Sequence, residues 1–237
     1  MNIKSKKFWK SISLKKEKSL GIILLDNNEL LSPEGNKLNL PFVLSKKVFN
    51  EWQNVKQDIV PSSMPFYSYA VTAIDRVLNK LEGVYNNLEN ILNMDLVLYR
   101  AGNDKELLKI QEKEWHPIVR WAENKFNCTF TINYDLNPIN QNKDELKKCV
   151  EFIKKLDHFS LSGLSHLISI SGSFILSVNF YFENIKPQKL YELAFLEELY
   201  QLQKWGDDEL SIERRNNIKK EIFEASKYIS ILPKVVK

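Results

Sequence analysis

The residues able to do chemistry in this chain are acidic and scattered. Asp75, Asp95, Glu197, Glu198, Asp207 and Asp208 are the carboxylates that stand out, with Arg100 close behind Asp95. An acid–base pair drawn from Asp75, Asp95 and Glu198 would make a small hydrolase, and Glu197/Glu198 with Asp207/Asp208 is a second such grouping. Carboxylates and arginine in a helical protein more often form structural pairs. His166 beside Ser165 is no triad, because adjacent helical residues diverge and no nucleophile elbow is present. Three histidines are too dispersed for a metal site, and Cys128 and Cys149 belong to no CxxC or Cys–His cluster. Neither a phosphate-cradling glycine loop nor an H-E-x-x-H pair occurs. No cofactor and no metal are expected, and the two cysteines read as reduced thiols.

Elements must position these groups, and the sequence offers them in order. Residues 6–40 read as a small meander: Phe8, Ile12 and Leu14 alternate with polar residues, Leu20 to Leu25 is an apolar run, and Leu30-Leu31 follows a turn at Asp26-Asn27-Asn28. Ser32-Pro33-Glu34-Gly35-Asn36 is a second turn. Ser45 is expected to cap a helix reaching about Gln57, with Phe49 and Trp52 on its buried side. After an extended linker from Val60 to Pro65, helical stripes cover 69–88, 107–126 and 144–156, with a short strand at Thr129 to Asn133. Residues 158–182 lack Asp, Glu, Lys and Arg. That length could span a bilayer, but its serines, histidines, Asn179 and glycines favour one buried helix of the bundle instead. Ser171-Gly172-Ser173 would let a neighbouring helix approach. A further helix opens at Pro187 and runs through Leu202; Gly206 suits a positive φ closing it, and Asp207-Asp208 can cap the next helix. The last helix spans 213–232.

Composition narrows the function. The chain of 237 residues is 43% hydrophobic and 27% charged, which suits a folded globular protein rather than a disordered one. Its net charge of +4 comes from 34 basic and 30 acidic residues well mixed along the sequence. Only the lysine-rich start approaches a basic stripe, and its aromatics are too few for an RNA-stacking platform.

Several motifs, in order, resemble the assembly chaperones of the F1-ATPase that attend its alpha subunit. They are Lys7-Phe8-Trp9-Lys10, Leu25-Asp26, Ser32-Pro33-Glu34-Gly35, Leu40-Pro41, Glu51-Trp52, Met64-Pro65, Thr72-Ala73-Ile74-Asp75-Arg76, Asp95-Leu96 with Tyr99-Arg100-Ala101, and Gln111, Trp115, Pro117 and Trp121. The signature follows: Glu197-Glu198, Gln201, Trp205-Gly206-Asp207-Asp208 and Arg214. Glu197 stands where that family usually has Asp, Leu210 where many members have a further Glu, and His116 where Asp is frequent. The resemblance implies an α+β fold: a small N-terminal α/β domain of antiparallel sheet plus helix (1–60, possibly joined by strands near 94–99 and 128–134), then a mainly helical domain (61–237). It implies a monomeric, non-enzymatic bacterial chaperone of the cytoplasm, with the alpha subunit as partner and neither nucleic-acid binding nor membrane insertion. Glu197, Glu198, Gln201, Trp205, Asp207 and Asp208 would contact the partner. Trp52, Asp75, Arg76, Asp95, Tyr99, Arg100 and Gly172 would be structural anchors. Glu198 shares a helix face with Gln201, Leu202 and Trp205, while Glu197 diverges from it by about 100°, so Glu198 is the favoured contact. Its reversal to Lys is expected to leave helix stability unchanged.

Overall fold

The computed structural model describes residues 5–135, 137–206 and 209–234. It has an N-terminal antiparallel sheet with a helix, and the remainder is mainly helical, as the α+β assignment requires. The contacts divide the chain into two compact units.

The first unit holds residues up to 81, 156–163 and those from 227 on. β1 (Ser5–Lys6) pairs antiparallel with a later two-residue strand at 58–59. β2 (Ile12–Glu17) and β3 (Leu20–Leu25) form a hairpin in which Ile12 faces Leu25 and Glu17 faces Leu20. Asp26 and Asn27, both at positive φ, turn the chain into β4 (Asn28–Glu29), the tolerance of Asx residues for that region making the turn possible. The Asp26 carboxylate accepts from the backbone N–H groups of Lys10 and Ser11, which tie the chain entering β2 to this turn. Ser32 N donates to Asn36 O at 2.8 Å and closes the second turn. β5 (Leu40–Pro41) returns to pair with β3.

α1 (Phe42–Gln53) begins three residues before Ser45 and stops short of Gln57. Pro41 fixes its entry, so Ser45 is not the cap; it is fully buried, donates to Phe42 O and lies against Gly21. Trp52 is the last buried residue of this helix and packs on Trp9 and Tyr67 with ring centroids 4.9 and 5.1 Å away. After β6 (Asp58–Ile59) comes α2 (Pro65–Thr72). A single wide turn at Ala73–Val77 then replaces the continuous helix expected over 69–88, with Leu78 N donating to Ala73 O. That turn carries Asp75 inward. Within the same unit, Gly163 lies beneath Tyr228 and Ile229, where a Cβ would meet Tyr228 at 2.7 Å.

The second unit comprises 82–155 and 164–226. Its elements fall in or run through α3 (Leu81–Asn93), α4 (Lys105–Phe126), α5 (Lys143–Ile153), α6 (His158–Ser171), α7 (Phe174–Tyr181), α8 (Pro187–Ala194), α9 (Leu196–Trp205) and α10 (Glu209–Ile231). Asp104 caps α4 by accepting from Glu106 N and Leu107 N. Trp115, Val119 and Ala122 on α4, with Phe174, Val178 and Leu190, lie in the core. The strand expected at 129–133 shrinks to one parallel bridge, Tyr99 to Asn133. Side chains take its backbone donors instead: Glu145 accepts from Thr129 N, Glu123 from Phe130 N and Gln141 from Thr131 N.

Two expected helices are broken. The charge-free run 158–182 forms α6 and α7, separated at Gly172 (φ 66°) and Ser173. Gly172 therefore ends a helix rather than admitting a neighbour; the close approach belongs to Gly163. The stretch 187–205 breaks at Phe195 (φ −112°, ψ 22°), giving α8 and α9. Among the described residues, no helix is long and apolar enough to cross a membrane.

Candidate functional site

Asp95 is fully buried and organises the α6–α7 break. It accepts from Ser173 Oγ at 2.6 Å, Ile175 N at 2.9 Å and Val97 N at 3.1 Å. Ser173 Oγ in turn accepts from Leu176 N, so α7 starts on a two-residue cap. Burial pushes the Asp95 carboxyl up to about 6, against the lowering effect of those donors. Asp75 is also buried, but it accepts from side chains, Ser32 Oγ at 2.6 Å and Asn36 Nδ2 at 2.8 Å. Both carboxylates are occupied with holding backbone or turns. Arg76 is exposed.

Arg100, buried, donates to Glu112 at 3.1 Å and to Tyr99 O at 3.0 Å, and its guanidinium lies 5.3 Å from the Trp115 ring centre. Trp115 donates through Nε1 to Leu193 O at 3.0 Å, taking a carbonyl of the last turn of α8 just ahead of the break. Gln111, fully buried, accepts from Ala101 N at 2.8 Å and donates to Glu197 Oε1 at 2.6 Å. α4 thus fixes both sides of the Phe195 break. Burial raises the Glu197 carboxyl above its usual range, opposed by the Gln111 hydrogen bond.

Glu198 faces the other way. Arg214 and Arg215 approach it at 3.3 and 3.2 Å. Reversal of Glu198 to Lys would set three cations together and strain the α9–α10 contact, so it is not the fold-neutral change expected from helix propensity. Tyr200, buried, places its hydroxyl 3.0–3.2 Å from Glu106 and Asp104, and Lys204 bridges the same carboxylates. Past these ties, Gln201 is exposed and Trp205 is 77% exposed. Gly206 closes α9 at φ 83°. Asp207 and Asp208 lie outside the described residues.

Glu197, Glu198 and Gln201 come together: all three line an open depression of about 410 Å³ with Leu96, Trp115, Ala194 and Phe195. Their divergence on the helix does not separate them, because the depression wraps the first turn of α9. The sequence reading had not picked out Gln111 and Arg215 as site residues. Gln111 stands in the motif order with Trp115, but nothing local marks its role, since its partner is 86 positions away. Among the described residues, no group of three His, Cys, Asp or Glu could hold a metal ion.

Residues 6–123 match the family described as ATP12 chaperone protein, and the chain belongs to that family of assembly chaperones. It is 26% identical to the mitochondrial protein atp12 of Schizosaccharomyces pombe, over 95% of this chain and 82% of the relative. It is 24% identical to the mitochondrial ATP12 of Saccharomyces cerevisiae, over 94% and 83%. The crystal structure of Atp12 from Paracoccus denitrificans superposes with a TM-score of 0.89 at 27% identity, covering 95% of this chain and 97% of that one.

Proposed function

We propose that this protein binds the newly made alpha subunit of F1-ATPase, shields its beta-facing surface from aggregation and hands it to the beta subunit. An unpaired subunit exposes an apolar face meant for its neighbour, and such faces aggregate. The observation carrying this reading is Trp205, a large side chain left 77% exposed at the end of a helix tied down through Glu197, Glu198, Tyr200 and Lys204. Leu210 in α10 is a second large apolar side chain left 80% exposed. Exposed aromatics that become buried on binding dominate the energetics of protein contacts, and the carboxylates of the same helix select a basic partner. Release needs no nucleotide if beta binds the same surface more tightly. The chaperone acts as a monomer in the bacterial cytoplasm.

The test is recovery of soluble alpha subunit on co-expression. Wild type keeps alpha soluble and co-purifies with it. Trp205→Ala retains the wild-type circular dichroism and melting curve and loses affinity roughly 30-fold or more, the scale of a binding hot spot. A Trp205→Ala protein that holds alpha as wild type does places the contact elsewhere.

A further inference from the structure

The chain has two cysteines, and the fold brings them together. Cys128 follows the Asn127 that ends α4 at φ 50°, and Cys149 lies on the buried face of α5 with Leu146, Val150 and Ile153. Their sulfurs are 3.7 Å apart, both residues are buried, and both are free thiols. Closing to a disulfide bond of about 2.05 Å requires the sulfurs to approach by about 1.6 Å. No site residue described above contributes to this pair, and chaperone activity makes no use of it.

We propose that Cys128 and Cys149 form a peroxide-reactive dithiol that closes to an intramolecular disulfide. The two thiols are unequal. Cys149 can donate its S–H to Cys128, which holds the Cys128 thiol below its usual range, while the same bond and burial push Cys149 up. Cys128 keeps 5% exposure and Cys149 none, so Cys128 is the sulfur an oxidant reaches, the attacking one, and Cys149 is the resolving one. The oxidant class follows from the surroundings. Glu145 and Glu123 are held over the residues after Cys128, at Thr129 N and Phe130 N, with Lys148 paired to Glu145. Each carboxylate is already paired, Glu145 with Lys148 and Glu123 with Arg120, so an anionic oxidant would shed its water with no free cation to receive it, and the burial excludes a bulky one. A small neutral hydroperoxide meets neither barrier.

The Cys128 thiolate attacks one peroxide oxygen; the O–O bond breaks, and the departing hydroxide takes up a proton as water. Cys128 is left as a sulfenic acid. Cys149 sulfur then attacks the Cys128 sulfur, the S–O bond breaks, and the hydroxyl leaves with the Cys149 proton as a second water. Two thiols and one hydrogen peroxide give one disulfide and two waters.

The experiment treats the folded full chain with hydrogen peroxide and reads intact mass and alkylation after denaturation. Wild type should lose two hydrogens in mass, lose both alkylatable thiols and stay monomeric on non-reducing gels. Cys149→Ser should stop at a sulfenic acid on Cys128 that dimedone traps, and Cys128→Ser should leave Cys149 unmodified at the same dose. Oxygen gained at Cys128 of wild type without loss of hydrogens, a disulfide-linked dimer, or closure that appears only in denaturant would each overturn the proposal.

Discussion

Asp75 and Asp95 are both buried carboxylates that the sequence places near arginines, yet the two do different work. Asp75 accepts from two side chains of one turn, Ser32 and Asn36. Asp95 accepts from two backbone N–H groups and a hydroxyl that itself caps α7. A carboxylate served by side chains can lose its partners to water when the turn opens. One served by helix-end N–H groups cannot be removed without leaving those donors orphaned in the core. Asp75 therefore serves a single turn, whereas Asp95 is a junction on which the start of α7 depends.

That contrast can be broken by mutation, read as urea midpoints. Trp52→Ala should cost most, about 3–5 kcal/mol, because Trp52 is 4% exposed between Trp9 and Tyr67. Asp95→Ala should cost about 2–4 kcal/mol, leaving Ile175 N and Val97 N without an acceptor. Asp75→Ala should cost less, about 1–2 kcal/mol, since Asn36 can reach solvent. Equal losses for the two aspartates would end the distinction between them.

The pH dependence sharpens it further. The folded Asp95 carboxyl titrates at about 6, above its unfolded value, so the folded state holds the proton more tightly. Its contribution is greatest below the unfolded value near 4 and is lost as pH rises through 6, by at most about 3 kcal/mol. Glu197, also raised, adds a slope of the same sign. Asp95→Asn should flatten the decline between pH 4 and 6, and an unchanged slope would move its origin elsewhere. The smallest effect is expected for Glu198→Gln: about 0.5–1 kcal/mol, as for a partly exposed ion pair.

The N-terminal turns were legible because their chemistry is local. Asp26-Asn27 and Ser32 to Asn36 declare a backbone conformation in the residues themselves. Helix existence was legible too, since α4, α5 and α10 carry long apolar stripes. The interruptions were not. Phe195 breaks a helix while keeping its apolar spacing, and what licenses the break is Trp115 and Gln111, remote in sequence. The wide turn at Ala73–Val77 shifts the register by one residue without any glycine or proline to announce it. For the depression on α9, ordered motifs located Glu197, Glu198 and Gln201, but only tertiary contacts tell that the first glutamate belongs to α4 and the second to α10.

The contact of Gly21 with Ser45 carries a consequence for the chain's tolerance of change. A Cβ at 21 would fall 1.9 Å from Ser45 Oγ and 2.5 Å from its Cβ. The two positions share one volume, and whatever one gains the other must give up. In a saturation library scored for folding, position 21 should accept only glycine while 45 is serine. Alanine at 21 should survive only in company with glycine at 45, so that a pair silent in either single-site profile emerges as a correlated one.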